Sequence, residues 1–229
     1  MTRRDELAAN LADVEARISA ACAAAGRRRD EVTLVGITKT WPASDAALLR
    51  DLGVTDLGEN RDQEARPKAA AVTGVRWHFV GQLQTNKAAS VASYADVVHA
   101  VDRPALVAAL GKGARRAGRT VTALVQVSLD GDPDRGGALP ADVPALADEV
   151  AATEGLVLGG VMAVAPLGAD PVPAFALLAE VAAGVVAAHP AATVVSAGMS
   201  EDLEVAIASG ATHVRVGTAL LGHRATPLG

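Results

Sequence analysis

The chain has 229 residues, half of them hydrophobic and only 2% aromatic, with 21 Lys and Arg against 26 Asp and Glu for a formal net charge of −5. That length suits one α/β barrel domain over 1–229 with a core of Ala, Val and Leu. The acidic balance, with a single short arginine cluster at Arg27, Arg28 and Arg29, excludes a nucleic-acid stripe. No stretch reads as a signal peptide or as an apolar run able to span a bilayer. The lone Cys22 excludes an internal disulfide and suits a reducing, cytoplasmic setting.

Leu7, Leu11, Val14 and Ile18 recur at helical spacing, so an extra N-terminal helix is expected over 4–25, closed by Gly26. Short β-branched runs then alternate with Ala/Leu-rich segments. Strands are predicted at 33–38, 54–57, 75–80, 97–101, 121–128, 156–164, 193–197 and 212–216. Helices are predicted at 43–52, 61–72, 86–93, 104–117, 141–153, 172–188 and 201–209, with a short turn "TALLG" after the last strand. Strict alternation with continuous apolar strands predicts a parallel sheet covered by helices. Eight units in this length predict closure into a (β/α)8 TIM-type barrel, with a doubly wound open sheet as the alternative.

Barrel sites lie at the C-terminal strand ends. The polar or distinctive residues there are Lys39, Glu59 with Asn60, His78, Asp102, Met162, Ser196 and Arg215. Strand seven runs into "SAGMSEDLE" and strand eight into "RVGTALLG". Gly198 and Gly217 allow close backbone approach, and Ser196, Ser200 and Thr218 offer hydroxyls, the pattern of an anion cradle. Ser200 also reads as an N-cap for helix 201–209, and one loop alone would be read that way. The two neighbouring loops together predict phosphate.

Lys39 ends "TLVGITK", where alternation puts Ile37 and Val35 on its face and turns the side chain toward the barrel mouth. Only four of the 21 basic residues are lysines, Lys39, Lys68, Lys87 and Lys112. A lysine held among apolar walls has a lowered pKa and acts as a nucleophilic amine, which an arginine does not; the alternative is a solvated rim lysine. A phosphate cradle, this amine and an arginine from strand eight describe a pyridoxal 5'-phosphate (PLP) site. In that reading Lys39 forms the Schiff base and Arg215 faces the pyridine nitrogen. Arginine does not readily give up a full proton, so the ring stays a weak electron sink.

The motifs "ITKTWP", "GENRDQEA", "WHFVGQLQTNK", "GVMAV" and "SAGMSEDLEVAIASGATHVRVGTALLG" resemble, in order and spacing over about 30–223, those of the pyridoxal phosphate homeostasis protein family. That family is similar in turn to the barrel domain of alanine racemase, of fold type III. The resemblance implies that Lys39 is the Schiff-base lysine, that Ser196, Ser200, Gly217 and Thr218 belong to the phosphate motif, and that Arg215 stands near the ring nitrogen. It implies that Asn60 and Met162 line the pocket. It also implies a cytosolic, monomeric PLP carrier or buffer without robust turnover, serving apo-PLP enzymes. Two departures are Thr38 where serine is frequent and Arg61 where an aromatic is frequent; the second is expected to change how the pocket is covered.

The alternative is a weakly active amino-acid racemase or decarboxylase. Racemisation needs a second acid/base opposite the lysine, and the sequence ends at "LGHRATPLG" with no second domain expected to supply it. Tyr94 is expected far from the strand ends, and His78 is the remaining candidate base, read first as a core histidine. His99, His189, His213 and His223 lack metal-ligand spacing. Asp130, Asp132 and Asp134 resemble the start of a calcium loop, but Arg135 stands where glycine is needed and Ala141 where glutamate is, so a surface loop is expected.

Overall fold

The computed structural model describes residues 1–132 and 135–222. Asp134 and His223 lie outside the described residues. Helix α1 (Arg3–Ala24) begins at a capping box in which Thr2 Oγ1 accepts from the Asp5 N–H at 3.2 Å while Asp5 accepts from the Thr2 N–H at 2.8 Å. Eight strands follow: β1 (Thr33–Ile37), β2 (Asp56–Glu59), β3 (Arg76–Phe79), β4 (Val97–Val101), β5 (Val121–Gln126), β6 (Leu156–Met162), β7 (Val194–Ser196) and β8 (His213–Val216). Each pairs in parallel with the next, and β8 returns to β1 through Thr33 opposite His213 and Val35 opposite Arg215. The barrel is closed, and the open-sheet alternative is excluded.

The helices between strands are α2 (Ala43–Asp51), α3 (Asp62–Ala71), α4 (Ala88–Ala92), α5 (Pro104–Arg116), α6 (Val143–Ala152), α7 (Pro171–Ala188) and α8 (Leu203–Ala208), and the predicted turn after β8 is a short helix α9 (Thr218–Leu221). Small side chains let them sit close to the sheet. A Cβ on Gly113 of α5 would lie 2.7 Å from the Ala89 Cα, a separation only glycine permits. Leu7, Val14 and Ile18 of α1 pack in one cluster with Leu203, Ile207, Leu220 and Leu221, so the extra helix covers the seam where β8 meets β1. Cys22 is buried there, as expected of a packed side chain.

Two differences from the sequence reading have physical causes. Strand β2 runs 56–59 rather than 54–57 because it extends to a buried acid, Glu59, which hydropathy assigns to a loop and which here finds a buried partner in Lys68. Helix α7, 18 residues with mean hydropathy 1.8, is long and apolar enough to cross a membrane, against the expectation that no stretch is. In the fold it is one of the barrel's covering helices, with Ala174, Phe175, Leu178, Ala182 and Val185 buried.

Candidate cofactor site

A cavity of about 1110 Å³ opens at the C-terminal end of the barrel, at the large end of small-ligand pockets. Its lining includes Ile37, Lys39, Asn60, Ser200, Arg215, Gly217 and Thr218. Six of the eight residues picked out from the sequence therefore share one cavity. Met162 and Ser196 do not line it. Met162 is buried in a small inner cluster with Val97, Ala100 and Leu124, and the Ser196 hydroxyl lies in the lumen beneath, accepting from Arg215 Nη1 at 2.7 Å and contacting His99 Nδ1 at 3.0 Å.

Lys39 shares the cavity with Ile37, as strand alternation predicts, but it is exposed. The expectation of an amine enclosed by apolar walls is corrected: the chain leaves β1 at Ile37, and Lys39 stands on the rim. What fixes it is its backbone. On one side Thr38 is buried; its hydroxyl donates to Glu59 Oε1 and its carbonyl accepts from Lys68 Nζ at 2.8 Å, while Lys68 also pairs with Glu59. On the other side Thr40 has φ 67, a left-handed backbone, and its N–H donates to Glu64 at 2.9 Å. Lys39 thus projects from a short bridge pinned at both ends by α3 and the end of β2.

The loops after β7 and β8 are joined by Ser200, whose Oγ accepts from the Ala219 N–H at 3.3 Å. Ser200 is not the N-cap of α8; that helix starts at Leu203, and Asp202 instead accepts from the Met199 N–H at 2.6 Å. Gly198 makes the turn with φ +89, and a Cβ there would lie 2.6 Å from Ala206 Cβ. Arg215 comes up from β8 with Nη2 donating to the Ala163 carbonyl at 2.9 Å. Burial lowers its pKa to about 10, against the opposing charge of Asp202, so it is a cation at neutral pH.

The donor set of Lys39, Arg215, Ser200 and Thr218 around one cavity suits a phosphorylated aldehyde. A family model described as alanine racemase, N-terminal domain, matches residues 5–225. The pyridoxal phosphate homeostasis protein of Mycobacterium bovis is 44% identical over 97% of this chain and 94% of its own length. That of Escherichia coli K12 is 36% identical over 96% and 97%. The chain belongs to this family.

Among solved structures, PipY of Synechococcus elongatus with PLP bound superimposes with TM-score 0.82 at 32% identity, covering 94% of this chain and all of PipY. Alanine racemase of Corynebacterium glutamicum shares the fold with TM-score 0.72 at 14% identity, over 98% of this chain and 62% of the racemase. Of the homeostasis-protein features noted in the sequence, Arg61 does not line the cavity; it is exposed and 3.7 Å from Glu64. Tyr94 packs against the outer core and is likewise absent from the lining. Asp130 pairs with Arg135, whose Nη2 donates to the Val164 and Ala165 carbonyls, tying one rim loop to another.

Sequence reasoning missed Lys68 and the buried partners of His78. The scarcity of lysine already singled Lys68 out, whereas nothing local in "VVHAV" distinguishes His99 from a core residue.

Proposed function

We propose that this protein binds PLP in the mouth cavity and serves as a cytoplasmic, monomeric carrier or buffer of the cofactor, delivering it to apo-PLP enzymes. In this reading Lys39 forms the Schiff base, Ser200, Gly217 and Thr218 surround the phosphate, Asn60 flanks the ring and Arg215 faces its nitrogen. Ser196 and Met162 support the floor from below. The observation that carries the reading is the gathering of Lys39, Arg215 and the two hydroxyls in one cavity of a chain 32% identical to PipY, which was solved with PLP bound.

PLP supplies an aldehyde for an amine and a ring that withdraws electrons. The chain's own groups restrain that chemistry. Arg215 is charged and buried, so it donates hydrogen bonds without handing over a proton. No histidine or tyrosine lines the cavity among the described residues, which leaves Glu201 and Asp202 as its acidic groups. Two-base racemisation would need a second acid/base opposite Lys39, and among the described lining residues only these two carboxylates offer one.

The test is the near-visible absorption of the purified, PLP-loaded protein before and after borohydride, with Lys39→Ala beside it. A band that borohydride removes, and that the variant lacks, is expected. An absent band, or one unchanged in Lys39→Ala, overturns the cofactor assignment. Sustained turnover in racemase and decarboxylase assays at high protein concentration would replace the carrier by an enzyme.

A further inference from the structure

The lumen of such a barrel is ordinarily filled with branched apolar side chains. Here it holds a continuous polar chain. His78 Nε2 meets Asp56 Oδ1 at 2.8 Å, His78 Nδ1 meets His99 Nε2 at 2.8 Å, His99 Nδ1 meets Ser196 Oγ at 3.0 Å, and Arg215 Nη1 donates to Ser196 Oγ at 2.7 Å. All five residues are buried. The chain crosses from β2, β3 and β4 to β7 and β8. Its far end, Asp56, lines a separate cavity of about 490 Å³ at the N-terminal face, where Arg76 Nε donates to the same Asp56 oxygen at 2.8 Å.

With one proton on each histidine, the direction of every bond is fixed from the Asp56 end. A guanidinium only donates and a carboxylate only accepts. Starting at Arg215, the Ser196 oxygen accepts and its own proton goes to His99 Nδ1. His99 then carries its proton on Nε2 and gives it to His78 Nδ1, and His78 gives its Nε2 proton to Asp56. Each donor meets one acceptor. Adding a third proton to the histidine pair reverses His99, so that Ser196 Oγ faces donors from both His99 and Arg215 and its own proton loses its acceptor.

We propose that Asp56, His78, His99 and Ser196 are positioning residues for Arg215, forming a one-way hydrogen-bond chain that holds the guanidinium at a set place in the floor of the mouth cavity. This rests on the reading of Arg215 as the group facing the ring of bound PLP. The groups that face the chain are Asp56 and Arg76 at the N-terminal end, His213 with its ring centroid 6.3 Å from that of His78, and Arg215. Burial, then the neighbouring His78, Arg215 and His213, pushes His99 well below the ordinary histidine range; burial and His78 lower His213 to about 4, with Asp56 opposing. Asp56 is held at about 2, because the hydrogen bonds of His78 and Thr55 outweigh its burial. The uncharged arrangement of His99 thus persists at neutral pH, and the ring nitrogen meets an arginine whose place is set by residues that never touch the ligand.

Two measurements test this independently. On the protein without PLP, nitrogen NMR of labelled histidines reads the tautomers directly: His78 and His99 are both expected to carry the proton on Nε2 at about pH 8. A His99 protonated on Nδ1, or on both nitrogens, overturns the chain whatever the cofactor does. On the PLP-loaded protein, His99→Phe is expected to keep the melting cooperativity and the one-to-one stoichiometry, yet shift the pH midpoint of the near-visible band by about one unit and weaken PLP about tenfold. His99→Gln, whose amide restores an acceptor toward Ser196 and a donor toward His78, should recover most of the shift. Asp56→Asn, at the far end, should move the band in the same direction by less. Band and midpoint identical to wild type in folded, loaded His99→Phe would reduce the chain to a structural role. No band in any protein, with the tautomers as expected, would instead overturn the PLP reading and leave the arginine-positioning chain standing.

Discussion

Replacing Lys68 by methionine isolates the device that holds Lys39. Lys68 and Glu59 are 5% and 1% exposed, and the ammonium serves both the Glu59 carboxylate and the Thr38 carbonyl. Glu59 Oε2 has no hydrogen-bond partner, so the carboxylate already depends on its other oxygen. Removing one member of a buried ion pair costs about 3 to 5 kcal/mol, since the remaining charge stays desolvated. With a slope of about 2 to 3 kcal/mol per molar urea, the unfolding midpoint of Lys68→Met should fall by at least about 1 M at about pH 8.

The pH dependence gives the sharper signature. Burial raises the Glu59 pKa above 4.5, against the hydrogen bonds of Lys68 and Thr38. A raised folded-state pKa means a stabilising contribution that is complete below the unfolded value and lost as pH rises through the folded one. Without Lys68 the folded value moves higher, so the deficit of the variant should shrink as the medium is acidified toward about pH 5. Adding Glu59→Gln should restore much of the stability at about pH 8, because no buried charge remains. The assay is urea unfolding at both pH values with the single and double variants. A deficit below about 1 kcal/mol, or one that does not change with pH, would refute the reasoning.

Asp56, lowered to about 2 from 3.8 mainly through His78 and Thr55 despite its burial, contributes stability that is present above about pH 4 and fades toward pH 2. That leg is worth about 2 kcal/mol, and acid titration of Asp56→Asn should lack it. Gly81→Ala should cost several kcal/mol in melting experiments, roughly the scale of severe overpacking, and weaken PLP at least about tenfold in titrations, because its Cβ would lie 2.1 Å from the Asn60 carbonyl and displace a cavity-lining residue. Arg3 joins α1 to the mouth by bonds of 2.7 Å to Asp45 and 2.9 Å to the Leu221 carbonyl and by stacking 4.4 Å over Trp41. Arg3→Ala should lower stability by about 1 to 2 kcal/mol and change the Trp41 fluorescence.

The amino-acid sequence by itself determined the alternation of strands and helices, since continuous apolar runs and helical periods are local properties of the chain. It also set the order of elements that made a barrel the economical closure, and the glycine and hydroxyl pattern of "SAGMS" and "GTALLG". Lys39 was legible for the same reason: a rare residue type at a strand end, with Ile37 and Val35 on its face. Only the tertiary structure decided that Lys39 stands on an exposed rim, that Ser200 bridges the two loops instead of capping α8, and that Ser196 faces Arg215 and His99 below the cavity. Asp56, His78 and His99 lie on three different strands, and Lys68 meets Glu59 and Thr38 from a helix. Such pairings depend on the register and closure of the barrel, because each of these polar groups is held in place by a partner distant in the chain, and no local period of side chains records which partner that is.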